Sequence, residues 1–371
     1  MLDALASRFA FLTAPAVPRR WAIGVFIIAL IVLGPILSLF GVAFSGTDNI
    51  WPHLLKNVLP QAVTATVLLM AGVAVLTVSI GAVSAWLVTM YQFPGRRLFV
   101  WMLLLPLAVP TYLTAFSYTE IWDYSGFLQT FLRALFGWQS ARDYWFPEIR
   151  SLGGAIFVMS FVLYPYVYLT ARASFIGQSV CALEVARTLG RTPWGVFWSV
   201  GLPLARPALA AGATLALMET LNDIGAVEYF GVNTLTFAVY NTWLERGSLS
   251  GAAQIAIVML IFVIALLWAE RASRRRQTFH QTTGRYRPIR PVPLTGFYAL
   301  AASLACFMPI LLGFVLPSSV LVRASVIQWQ AVLDGNFWPY IWHSVVLAGA
   351  AALVAVSAGL LLAFARRITA S

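Results

Sequence analysis

The chain reads as an all-α polytopic membrane protein, and three observations carry that reading. Apolar residues make up 60% of it and charged residues 10%, where an ordinary soluble domain has about a quarter charged. The apolar runs continue for about 20 residues without alternating, which suits spanning helices rather than barrel strands. Basic residues gather on one side of the topology that these runs imply, as the positive-inside rule requires. Backbone groups in lipid must be satisfied internally, so a mean hydropathy of +0.83 leaves helices.

The first element is an apolar run from Ala22 to Phe44 behind Arg19 and Arg20. It is too long for the apolar core of a cleaved signal peptide and reads as an uncleaved first span. Further spans are predicted over 62–90, 98–119, 152–171, 208–228, 251–268, 293–316 and 340–364. With the N-terminus in the cytoplasm, 45–61, 120–151, 229–250 and 317–339 lie outside, while 91–97, 172–207 and 269–292 lie inside. Of the 24 lysines and arginines, all but Lys56, Arg133, Arg142, Arg150, Arg246 and Arg323 then lie inside. This asymmetry accounts for the net charge of +11, and nucleic-acid binding is not needed to explain it. Cys181 and Cys306 are too few for a disulfide framework or a thiolate metal site and read as packing residues. His53, His280 and His343 form no spaced ligand cluster, so no metal site is assigned.

Span three carries Pro106 and Pro110, and span four contains Tyr164-Pro165-Tyr166-Val167-Tyr168. Prolines at membrane depth free backbone carbonyls, which only protein neighbours or a water-lined path can satisfy. These helices therefore face the protein interior, either as ordinary packing kinks or as the lining of a pathway with Tyr164 and Tyr166 on it.

A long repeat is visible. Trp21 to Phe40 with Pro35 matches Phe297 to Leu316 with Pro309, and Asn57-Val58-Leu59-Pro60 matches Asn336-Phe337-Trp338-Pro339. Six spans separate the copies, so both share one orientation and form a parallel repeat. The organisation is thus a first six-helix repeat over 1–268, a basic linker over 269–292, and the first two helices of a second repeat over 293–371. A unit of this length implies a longer whole, of which four spans are expected beyond Ser371.

Two segments carry chemistry. In the loop 172–207, residues 176–189 form a helix ended by Gly190, since glycine tolerates the left-handed conformation that closes helices. Thr192 and Pro193 then give an N-cap and a first helical position. The second helix, Trp194 to Val200, stops near Gly201, and Pro203 opens span five. Arg187 and Arg191 surround this angled pair, with Glu184 and Arg187 spaced to share one face. Such a pair either docks a soluble partner rigidly or lies on the lipid surface. In span five, Glu219 and Asp223 are four apart and share a helix face, with Asn222 beside them and Gly225 permitting close helix approach. Carboxylates at membrane depth cost roughly 2.5–3.5 kcal/mol each on insertion scales. These two therefore line a pathway or bond to neighbouring spans.

The loop pattern, Glu184 and Ala186, then Gly190, then Val200, Leu202 and Pro203, resembles the signature loop of ABC importer permeases, with Val185 in place of the usual middle alanine. The stretch from Met218 to Gly231 is similar to the fused two-domain permeases for ferric iron. The resemblance implies an ABC importer type I permease fold in a bacterial inner membrane. It implies that Glu184, Ala186, Arg187, Gly190, Arg191, Val200, Leu202 and Pro203 contact a dimeric cytoplasmic ATPase, and that a periplasmic binding protein delivers substrate. No Gly-x-x-x-x-Gly-Lys-Ser/Thr segment occurs, so the chain is not itself an enzyme and ATP with magnesium belongs to the partner. Permeases for thiamine, phosphonate, sulfate or polyamines share this architecture. An ion-coupled secondary transporter using Glu219 and Asp223 as a proton relay, or a scaffold without transport, would leave the hinged loop or the carboxylates without a purpose.

Overall fold

The computed structural model describes residues 19–45, 51–178, 184–186, 188–275, 291–332 and 337–369. Among these, seven helices are long and apolar enough to cross a membrane, and eight if one bent pair counts as a span. The helices used below are α1 (Arg19–Ser45), α2 (Leu59–Met90), α3 (Arg96–Met102), α4 (Thr111–Trp122), α5 (Phe127–Phe136), α6 (Leu152–Ile176) and α7 (Pro193–Val196). They continue with α8 (Leu202–Asn222), α9 (Ile224–Tyr229), α10 (Leu235–Leu244), α11 (Leu249–Arg275), α12 (Gly296–Ile310), α13 (Leu316–Ile327) and α14 (Phe337–Thr369).

The chain forms two compact units, one of residues 1–45 with 325–371 and one of Gly46–Ala324. In the first, α1 and α14 pack together, with Gly24 against the side chain of Leu361. In the second, α2, α6 and α8 lie side by side at the centre. Small residues set their spacing: a Cβ on Gly212 would fall 2.7 Å from the Cα of Val167. Such backbone proximity replaces the missing hydrophobic drive between helices in lipid. Several buried hydroxyls are satisfied within their own helices, Thr66 donating to Ala62 O and Thr77 to Val73 O, both at 2.7 Å. This disposes of polar groups where no water is at hand. Thr66 Oγ1 also accepts from the amide of Leu235 at 2.9 Å, tying the start of α10 to α2.

Three wide turns interrupt the long helices, and each directly precedes Leu-Pro. They are Leu54–Val58 before Leu59-Pro60, Phe197–Gly201 before Leu202-Pro203, and Leu311–Val315 before Leu316-Pro317. In each, the leucine amide reaches back five residues, to the carbonyl of Leu54, Phe197 or Leu311. A proline lacks the N–H, and its ring collides with the carbonyl four residues back. The extra residue widens the turn and lets the helix pass the proline unbroken.

Several sequence boundaries move for this reason. The second span begins at Trp51 rather than at 62, and the seventh runs to Ile327 rather than ending at 316. The third span is not one helix over 98–119. It breaks between Ala108 and Thr111, and the two parts meet at 91°, because Pro110 forces Val109 into an extended conformation. The carbonyl of Val100, in the last turn of α3, loses its fourth-on amide because Leu104 bonds Trp101 O, and it accepts the hydroxyl of Tyr168 at 3.0 Å instead.

Two short strands were not anticipated: β1 (Tyr91–Gln92) and β2 (Val292–Pro293) pair in parallel. They hold the end of α2 beside the start of α12, so two segments assigned to the cytoplasm meet at one end of the bundle. Most of the basic linker, 276–290, lies outside the described residues, as does Cys181. Cys306 is buried in the core with Tyr164 and Tyr168.

Candidate functional site

The loop after α6 is built in two layers. Glu184, Val185 and Ala186 form a helical turn closed by amide bonds from Leu189 to Val185 O at 3.0 Å and from Arg191 to Ala186 O at 3.1 Å. Gly190 sits at φ +81°, a conformation that L side chains adopt only with strain. The glycine thus ends the turn as its position in the sequence predicts. Residues 179–183 and Arg187 lie outside the described residues. Thr192 Oγ1 accepts from the amide of Gly195 at 3.1 Å, with Pro193 in the first helical position, the expected cap.

The second helix departs from expectation. It does not stop near Gly201, and Pro203 does not open a new helix. The wide turn Phe197–Gly201 carries α7 into α8, giving one helix of 30 residues from Pro193 to Asn222. Val200, Leu202 and Pro203 are half-buried along it, and Val200 and Leu202 pack on the core.

The inner layer locks this helix down. Val196 and Phe197 are buried. The Phe197 ring lies 5.2 Å from Trp86 of α2, and Trp86 lies 5.2 Å from Phe175 of α6 in an edge-on contact. A Cβ on Gly201 would come within 2.5 Å of the Trp86 ring. The side-chain amide of Gln178 donates to the carbonyl of Gly201 at 2.9 Å, joining the two feet of the loop. Sequence reasoning missed Trp86, Phe175 and Gln178. Their signal was the aromatic content of 194–198, which requires a floor to pack on.

The outer layer is different. Glu184, Val185, Gly190 and Arg191 are exposed, and Leu189, Trp194 and Trp198 are exposed by 77%, 58% and 63%. Among the described signature residues of the first turn, Ala186 alone is buried. Large apolar side chains on a rigid, glycine-cornered protrusion are the composition of an interaction surface.

At membrane depth, the expected carboxylate pair is not a pair. α8 ends at Asn222, and Asp223 is extended at φ −78°, ψ 102°. The four-residue spacing therefore does not put Glu219 and Asp223 on one helix face. Aspartate is itself a strong cap, and here its Oδ1 accepts from the Ala226 amide at 2.9 Å to start α9. Its other oxygen is buried without a partner among the described residues. Glu219 and Asn222, three apart, do share a face, and both are exposed on the protein surface. Tyr166 is half-buried and lies within electrostatic reach of Glu219. Gly225 gives the close approach expected of it, since a Cβ there would meet Tyr112 of α4 at 2.8 Å.

Tyr164 is fully buried in the core beside Tyr168 and Cys306, away from the exposed face that carries Glu219. Glu219 and Asn222 thus share an exposed face with Tyr166 within electrostatic reach of Glu219, while Tyr164 and Asp223 go elsewhere. Among the described residues, no three His, Cys, Asp or Glu side chains converge on a metal-sized site.

Residues 77–278 match the family model described as the binding-protein-dependent transport system inner membrane component. The chain is similar to the Fe(3+)-transport system permease protein FbpB 2 of Haemophilus influenzae, 25% identical over 317 residues, covering 84% of this chain and 58% of that protein. It is also similar to the molybdenum transport system permease protein ModB of Escherichia coli, 29% identical over 226 residues, covering 58% of this chain and 95% of that one. In fold it resembles a chain of a bacterial alginate ABC transporter solved with an alginate pentasaccharide-bound periplasmic protein. There the TM-score is 0.54 and the identity 14%, with 70% of this chain and 95% of that chain covered.

Proposed function

The chain belongs to the binding-protein-dependent transport system inner membrane component family, and from that premise we propose that it is a subunit through which an ATP-driven importer passes ferric iron inward. The observation that carries the proposal is the two-layered loop. Its inner side is locked on Trp86 and its outer side offers Leu189, Trp194 and Trp198. A cytoplasmic ATPase dimer, carrying ATP and magnesium, would grip the outer side. A periplasmic binding protein, like the one held by the alginate transporter, would deliver the substrate from the other face. The N-terminus is then cytoplasmic.

The proposed cycle is alternating access. ATP binding closes the partner subunits, the loop around Gly190 moves with them, and the continuous helix Pro193–Asn222 carries the movement to Glu219. Hydrolysis resets the system. Iron is favoured because the similarity to the iron permease covers 84% of this chain. The oxygen-bearing face of Tyr166, Glu219 and Asn222 also suits a hard cation. Loose coordination by so few groups suits passage, since tight binding would hinder release. An oxyanion such as molybdate or sulfate is the second reading, prompted by the similarity to a molybdenum permease.

The test has two parts. Substituting Trp198 by Ala, or Leu189 by Asp, should reduce co-purification of the ATPase while the permease stays folded; retention at the wild-type level would overturn the docking assignment. Vesicles holding the complete importer should accumulate labelled ferric iron in an ATP-dependent manner. Accumulation of molybdate instead would overturn the substrate.

A further inference from the structure

Helix α5 is amphipathic in an unusual sense. Gln129 and Arg133, one turn apart, point inward. Gln129 is buried, donating to Trp122 O at 2.8 Å and accepting the Tyr144 hydroxyl at 2.6 Å. Arg133 donates to the Tyr144 hydroxyl at 3.2 Å, and its guanidinium lies 4.0 Å over the Tyr124 ring. Phe127, Phe131 and Leu135 recur at four-residue intervals on an outward stripe and are exposed by 69%, 53% and 62%. At about 200 Å² per large aromatic side chain, the stripe leaves roughly 400 Å² of apolar surface uncovered, a size at which an exposed patch often marks a functional surface.

We propose that α5 lies in the interfacial layer of the bilayer, with Phe127, Phe131 and Leu135 dipped among the lipid headgroups and upper acyl chains. Two observations name lipid as the occupant. Only four residues separate the helix from Trp122 of the broken third span, and Gln129 bonds back to the Trp122 carbonyl. That short step keeps its start close to the end of a membrane element. The segment also packs with Trp122, Trp138 and Tyr144, and Trp145, 86% exposed, follows it in the chain; such amphipathic rings are enriched at membrane interfaces. A helix with an apolar stripe and a polar flank rests stably in that plane. Here the polar flank is satisfied by the protein, so the stripe is free to enter the lipid.

The test uses the full chain in phosphatidylcholine nanodiscs, without binding protein or ATPase. Cys181 and Cys306 are replaced by Ala, and a polarity-sensitive fluorophore is attached through Phe131→Cys, Leu135→Cys or, as an exposed control, Arg142→Cys. The expected result is blue-shifted emission at the first two positions, quenched by spin-labelled lipid and not by aqueous iodide, with the reverse at Arg142→Cys. Iodide quenching at 131 and 135 would overturn the proposal in favour of a solvated surface. Protection from both quenchers would overturn it in favour of a protein contact. The two stripe positions are exposed and guard against a single misfolded variant.

Discussion

Tyr118 donates its hydroxyl to the carbonyl of Leu312 at 2.8 Å, across from α4 to the wide turn that follows α12. The Leu316 amide there reaches back five residues to Leu311 O, so the next partner in that pattern, due to Leu312 O, is the amide that Pro317 does not have. A buried tyrosine thus occupies a carbonyl orphaned by a proline, and Tyr168 likewise takes the carbonyl of Val100, whose fourth-on amide, that of Leu104, turns to Trp101 O instead. These bonds are why the bundle can carry irregular backbone at membrane depth.

Tyr118→Phe should lower stability by about 1–3 kcal/mol, the usual cost of a buried acceptor left unmade. Thermal unfolding in detergent would read this. A loss no larger than that of an exposed Tyr→Phe change would show that water reaches Leu312 O.

Gly313 and Gly72 provide a graded comparison. A Cβ at Gly313 would fall 2.2 Å from the carbonyl oxygen of Phe161, which is backbone, whereas at Gly72 it would meet only the Ile156 side chain, at 2.6 Å. Gly72→Ala should cost about 1–3 kcal/mol by overpacking. Gly313→Ala should cost more and reduce the folded yield, as measured by fluorescence-detected size exclusion.

Gly201→Ala would drive a methyl into Trp86, which is itself held between Phe175 and Phe197. A loss of about 1–3 kcal/mol is expected. ATP hydrolysis by the assembled importer should no longer track transport, because the loop loses its floor. Gly190→Ala should cost about 1–2 kcal/mol through backbone strain alone, since no atom lies within 4 Å of the added methyl.

The two carboxylates of span five should separate cleanly. Glu219→Gln should abolish or slow uptake with an unchanged unfolding temperature, because the side chain is exposed. Asp223→Ala should lose about 1 kcal/mol as a cap is removed, and Asp223→Asn should recover it. Uptake assays beside thermal melts decide the matter, and normal uptake by Glu219→Gln would sink its place on the pathway.

The helical class and the corner at Gly190 with its Thr192-Pro193 restart were legible, because each rests on a local rule. The prolines announced freed carbonyls, yet nothing local names Tyr118 as the partner of one of them, since that contact joins segments far apart in the chain. Pro203 was misread as a helix start because a proline after an irregular turn carries the same signal as one that a wide turn lets through. Asp223 was misread because four-residue spacing means a shared face only if the helix continues, and aspartate is also a residue that begins a new one.

In the proposed cycle, the unbroken passage from α7 into α8 would make the loop a lever rather than a relay. From Gly201 to Glu219 the axis runs about 27 Å at 1.5 Å per residue. A tilt of about 5° about the Trp86 fulcrum would therefore sweep the Glu219 backbone by roughly 2 Å over that length. Pro207 lies inside the arm and is its natural point of compliance. Stroke at the far end is thus set by arm length and by bending at one residue. A stiffer arm would turn the same partner motion into a longer throw.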